Sequence, residues 1–183
     1  MPPVPDISKF DETADLPLIL AAILLVDVIV ICIARFTGLF GTVINVWYDR
    51  FGLSAVLADV GIIFLGFIVG RWIYTKYIRP RYGWDAWIFT ALMIVIQMVH
   101  DVLFYVGVIK PLAPGDNGMI DVMKDYSLAG GWKILIADAG MVAASAGIAM
   151  AYKLASVPVV TGITALAGYA MPYLLAAASV KDV

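Results

Sequence analysis

One cysteine and one histidine are all that this 183-residue chain contains. Cys32 alone excludes an intramolecular disulfide and a cysteine metal cluster, and it lies within an apolar run as a structural thiol does. His100 alone excludes bis-histidine haem ligation. Charge is also scarce: 12 Lys and Arg against 14 Asp and Glu make up 14% of the residues, for a net charge of -2. The basic residues are scattered, so no stripe points to nucleic acid. No HExxH, GxSxG, Walker or dinucleotide loop occurs. Asp116-Asn117-Gly118 lacks the spacing and the closing glutamate of a calcium loop, and reads as a turn and helix cap. The expectation is a chain without metal, cofactor or enzymatic activity.

Hydrophobic residues fill the space these absences leave. They account for 63% of the chain, and the mean hydropathy is +0.96, too apolar to cover a soluble surface. The reading is an all-α polytopic membrane bundle of about five transmembrane helices with short interfacial helices. Each run is long enough to cross hydrocarbon, for which about 20 residues suffice. The spans fall at about 16–36, 51–74, 86–109, 132–152 and 157–179, with Asp15 placed to cap the first. The last run is uncharged, rich in Ala and Gly and interrupted by Pro158 and Pro172, so it reads as a fifth span, the alternative being a re-entrant hairpin.

Between the spans lie segments suited to the membrane boundary. Residues 37–50 hold Gly38, Gly41 and the amphiphilic Trp47 and Tyr48. The connector from Arg71 to Trp84 carries Arg71, Trp72, Lys76, Arg79, Arg81 and Trp84, whose stems snorkel and whose rings straddle apolar and wet layers. In 116–130 Met119, Met123 and Tyr126 recur at helical spacing, as in an amphipathic helix lying on the membrane or on a partner, with Asp121, Lys124 and Asp125 facing water. The acidic, Pro-rich tail at 1–15 lacks the positive start of a signal peptide, so the first span is expected to be retained. Pro2 excludes myristoylation, and the 180–183 tail is no prenylation box. Five spans place the termini on opposite sides, with the dense basic second connector and the N-terminus expected in the cytosol.

For packing, Gly66 with Gly70, Gly140 with Ala144, and Gly147 with Ala151 form small-xxx-small pairs that let helices approach. A tight turn at Ser156-Val157-Pro158 is expected to fold the fifth span against the fourth. No repeat between the halves is evident, which counts against an inverted-repeat transporter.

Four spans carry one aspartate each: Asp27, Asp59, Asp101 and Asp138. Successive spans run in opposite directions, and the depths then set all four roughly 10 to 14 Å from the same membrane face. An ionised carboxylate in hydrocarbon costs roughly 2.5 to 3.5 kcal/mol, so something must solvate, neutralise or pair them. Gln97 and Asp101 share a helix face, whereas His100 diverges by about 100° and cannot point to the same spot. One reading of this polar layer is a proton or cation path. The other is that the acids are protonated or bonded to Ser54, Ser145, Gln97, His100, tyrosines or backbone, and fix helix register.

The segment Gln97-Met-Val-His-Asp-Val-Leu-Phe-Tyr105, then Pro114-Gly-Asp-Asn-Gly-Met-Ile-Asp-Val-Met-Lys-Asp-Tyr126 and Ala137-Asp138, resembles multi-pass membrane proteins of nucleocytoplasmic large DNA viruses of algae. The resemblance covers about the middle third of the chain. It implies a structural role in the virion's internal membrane, as a minor capsid component anchoring the shell to the bilayer beside other capsid proteins. The alternative is a small proton- or cation-conducting carrier or channel using the aspartate layer.

Overall fold

A 3-10 turn at Thr13–Asp15 leads into the first long helix, α1, Leu16–Thr37, with Pro17 in its opening turn, where a missing N–H costs nothing. Asp15 gives α1 no side-chain cap, because its carboxylate is taken by cations described below. The computed structural model describes residues 4–178, so Pro2, Pro3, Ser179 and the 180–183 tail lie outside the described residues. There follow α2 (Val43–Phe51), α3 (Leu53–Ile73), α4 (Arg79–Tyr82), α5 (Ala86–Phe104), α6 (Gly118–Gly130), α7 (Trp132–Tyr152) and α8 (Val157–Leu175). No strand occurs among the described residues. Five helical stretches are long and apolar enough to cross a membrane: Thr13–Thr37, Leu53–Tyr82, Ala86–Ile109, Trp132–Tyr152 and Val157–Leu175. The chain is an all-α integral membrane protein.

The second span runs further than its hydropathy indicates. A π-helical turn at Tyr74–Ile78 joins α3 to α4, so the helix continues to Tyr82 through the basic connector. A second π turn, Tyr105–Ile109, extends α5. The first keeps Tyr74 wholly buried, its hydroxyl accepting the Asp85 N–H at 2.9 Å. The fifth apolar run is one continuous helix through Pro172, not a hairpin, and ends at Leu175. It lies along α1 and not, as the tight turn implied, along α7.

α1, α3, α5 and α7 close a ring in which α1 and α5 each pack on both α3 and α7. The ring contains a repeat that the sequence conceals. A span (α1 or α5) is followed by a short surface helix (α2 or α6), a glycine hinge and a second span (α3 or α7). The hinges share one backbone shape, φ 50°, ψ -124° at Gly52 and φ 53°, ψ -133° at Gly131, a left-handed region that favours glycine. Asp59 and Asp138 follow their hinges at the same spacing, and α2 packs on α6. The two units point the same way across the membrane, so the repeat is parallel, not inverted.

Packing follows small residues only in part. A Cβ on Gly66 would sit 3.9 Å from Ile96, and one on Gly70 would overlap Met93, so α3 and α5 approach closely there. Gly140 and Gly147 have nothing within 4 Å of such a Cβ, and Ala144 and Ala151 are exposed. The face that α7 buries is instead Val142, Ser145, Ala146 and Ala149, also spaced by four. Both faces of α7 are small, so spacing alone could not choose between them.

Candidate functional site: an acid-lined cavity beneath two surface helices

The two ends of the bundle treat polar residues differently. At one end the N-terminal tail is strapped down, with Ile7 and Ser8 wholly buried. Lys153 reaches Asp15 at 2.8 Å, Glu12 at 3.4 Å and the Asp6 carbonyl at 2.8 Å. Arg79 pairs with Asp6 at 2.5 Å, Trp84 donates to the Val4 carbonyl at 2.8 Å, and Thr75 donates to Ser8 at 2.8 Å. Arg71, 1% exposed, donates to the carbonyls of Lys9 and Glu12 and lies 3.8 Å from Asp15. Arg71, Arg79 and Trp84 therefore hold the tail. Trp72, Lys76 and Arg81 stay exposed, Lys76 lying over the Trp72 ring at 5.3 Å. Behind the strap, the ring of Phe89 meets Tyr74 at 5.4 Å, Trp84 at 5.6 Å and Phe67 at 6.3 Å, filling the α3–α5 seam.

At the other end α2 and α6 cover a cavity of about 890 Å³. Its walls include Asp59, Gln97, His100, Asp101 and Asp138, with Trp47, Tyr48 and Tyr126 turned into it. Trp47 and Tyr48 face inward and not toward lipid, at 5% and 2% exposure, because both bond Asp59: Trp47 Nε1 at 3.1 Å and the Tyr48 hydroxyl at 3.2 Å. Tyr126 likewise faces the acids. Its phenol is pushed up to about 12 by burial, then by Asp138 and Asp59. The Tyr48 phenol is raised by burial, then by Asp27 and Asp59. These shared influences link carboxylates from three helices, α1, α3 and α7.

Hydrogen bonding is uneven within the group. Asp101 accepts from Gln97 at 2.7 Å, and His100 Nδ1 also lies 3.1 Å from it. The 100° divergence along the helix did not prevent that contact, because a bent-back imidazole reaches its neighbour, stacked on Phe104 at 5.6 Å. Tyr48 gives its hydrogen bond to Asp59, which leaves both oxygens of the wholly buried Asp27 without a donor. Asp101 Oδ2 is buried and unbonded too, and Asp138 makes no hydrogen bond among the described residues. Neither Ser54, which is exposed, nor Ser145, whose buried hydroxyl has no partner, serves an acid. Each repeat unit thus holds one bonded acid, Asp59 or Asp101, and one unbonded acid, Asp27 or Asp138.

Surface helices are held from their own sequence. Asn117 caps α6, accepting from Met119 N at 2.9 Å and Ile120 N at 3.3 Å. Lys124 and Asp121 brace the preceding loop at the Leu112 carbonyl and the Gly115 N–H, while Met119 and Met123 pack on the core. Arg35, wholly buried and not singled out from sequence, pairs with Asp49 at 2.5 Å and donates to the Leu175 carbonyl at 2.9 Å. It ties α1, α2 and the end of α8 together, where a cation complements the helix dipole. Its place at the end of an apolar run was the available signal.

Comparison with protein-family models finds no match, and comparisons with curated proteins and with solved structures find none either. The arrangement of the residues is therefore the ground for a functional reading.

Proposed function

We propose that this integral membrane protein is a small carrier that loads protons or cations from the α2–α6 face into its acid-lined cavity. The observation that carries the reading is the convergence of Asp59, Asp101 and Asp138, from three helices, on one cavity, with Asp27 of a fourth helix buried beside Tyr48 and neither Asp27 nor Asp138 receiving a donor among the described residues. Intramembrane carboxylates are costly and commonly mark ion pathways. The tail strap and the aromatic seam favour access from one face at a time over a continuous pore. Purified chain in proteoliposomes is expected to take up protons or cations, and Asp138→Asn to abolish uptake while the fold persists. Equal flux in wild-type and variant vesicles, or none above empty vesicles, overturns the proposal.

A second reading is favoured by a different feature. The exposed Trp72, Lys76, Tyr77 and Arg81 rim suits contact with a shell or a headgroup layer. With the resemblance across residues 97–138, this supports a structural protein of a viral inner membrane, anchoring the capsid as a minor capsid component. Crosslinks from Lys76, Lys110, Lys124 and Lys133 to capsid proteins on a native particle test it. Links confined to this chain and lipid count against it.

A further inference from the structure

We infer that the cavity takes an organic ammonium ion carried on an apolar body, in preference to hydrated metal cations. The inference rests on the cation-loading reading and narrows it to a ligand class. Size is the first argument. About 890 Å³ lies within the range of roughly 300 to 1,000 Å³ of organic-ligand pockets and far exceeds what a bare ion needs.

Charge is the second. No Lys or Arg lines the cavity, so its carboxylates have no fixed counter-ion there. Asp27 is wholly buried with both oxygens unbonded, in the wall behind Tyr48, and Asp101 Oδ2 is buried and unbonded at the surface of the cavity itself. Among the described residues, no three acids or histidines are placed to share one metal ion. The acids are spread around the walls, an arrangement that suits a ligand spanning them and not a point charge that each must touch.

The walls supply the third argument. Trp47, Tyr48, Tyr126 and Trp132 bring aromatic rings to the same space as the carboxylates, and aliphatic side chains fill most of the remainder. An alkylammonium gains cation–π attraction from such rings and buries its apolar body against such walls. A hydrated divalent cation would shed tightly held water and find few oxygen ligands in return.

The test is isothermal titration of the purified chain in neutral detergent with benzyltrimethylammonium, alongside neopentylbenzene, which has the same shape without the charge. The expected result is saturable binding of one cation per chain, with the neutral compound at least about tenfold weaker. Asp138→Asn and, separately, Asp101→Asn are each expected to weaken the cation by about tenfold and leave the neutral compound unchanged. Equal binding of the two compounds would overturn the inference and mark a lipid-filled pocket. Displacement of the ammonium by equimolar sodium or magnesium would also overturn it, while leaving cation loading intact. Selective ammonium binding without any flux in vesicles would support this site and end the carrier reading.

Discussion

The two ends of this bundle use the same residue types for opposite purposes. At the tail end, Asp6, Glu12 and Asp15 meet Arg71, Arg79 and Lys153, and the charges pair off. At the cavity end, Asp27, Asp59, Asp101 and Asp138 meet tryptophan, tyrosine, glutamine and histidine, but no fixed cation. The tail end is closed by charges of its own sequence, whereas no Lys or Arg lines the cavity at the other end. Arg35 marks the limit of the contrast: it is buried at the cavity end, yet it serves the perimeter by joining α1, α2 and α8.

The contrast can be broken most forcefully at Arg71. Lys153 would still hold Asp15, but the carbonyls of Lys9 and Glu12 would lose a buried charged donor, so Arg71→Ala should destabilise the folded protein by about 3 kcal/mol. A large fall in the denaturation midpoint in detergent is expected; a midpoint close to wild type would mean that the strap carries little. Gly70 and Gly140 compare packing at the two ends. Gly70→Ala forces a methyl into Met93 and should cost about 1 to 3 kcal/mol. Gly140→Ala, beside the cavity, should stay within about 0.5 kcal/mol of wild type, and similar losses at both positions would remove the distinction.

Smaller effects separate bonded from unbonded acids. Tyr48→Phe deletes one hydrogen bond to Asp59 and should cost about 1 kcal/mol by the same denaturation assay. Asp138→Asn breaks no hydrogen bond seen among the described residues, so it should cost less than Tyr48→Phe. The reverse order would place the structural weight on Asp138.

Proton dependence is the mildest lever on the tail. Burial alone would raise Asp6, but the hydrogen bonds from Ser8 and the Arg79 guanidinium outweigh it and hold its carboxyl below the usual range. Lys153, then Lys9, lower Glu12. Groups depressed in the folded state stabilise it above their unfolded values, about pH 4, and that contribution fades as pH falls through the lowered ones. Hydrogen exchange of residues 4–15 should therefore be flat from pH 5 to 8, after correction for intrinsic rates, and protection should fall only in stronger acid. Loss of protection near pH 6 would contradict this assignment.

Long apolar runs made the spans legible, because about 20 apolar residues have few alternatives to crossing hydrocarbon. The counting of depths brought out the four aspartates, since a helix rises uniformly. What stayed hidden depends on direction around the helix and on distant partners. Trp47 and Tyr48 have the composition of a headgroup belt, and only the hinge at Gly52 turns them onto Asp59. Arg71 and Arg79 resemble snorkelling residues until the tail, remote in sequence, folds over them. The π turn at Tyr74–Ile78 has no strong composition of its own. The parallel repeat escaped because its two units share the hinge glycine and the aspartate seven residues on, Gly52 with Asp59 and Gly131 with Asp138, but little else.

Access to Asp138 from the α2–α6 face alone is the decisive property of a cavity loaded from that side. In a Cys32→Ser background, Asp138→Cys would be treated with a membrane-impermeant thiol reagent in sealed vesicles of each orientation. Leu39→Cys, at 73% exposure, marks the α2–α6 face, and Tyr82→Cys, at 67%, marks the tail face. Asp138→Cys is expected to be modified only in vesicles where Leu39→Cys is modified. Modification together with Tyr82→Cys, or in neither orientation, would contradict a cavity loaded from the α2–α6 face.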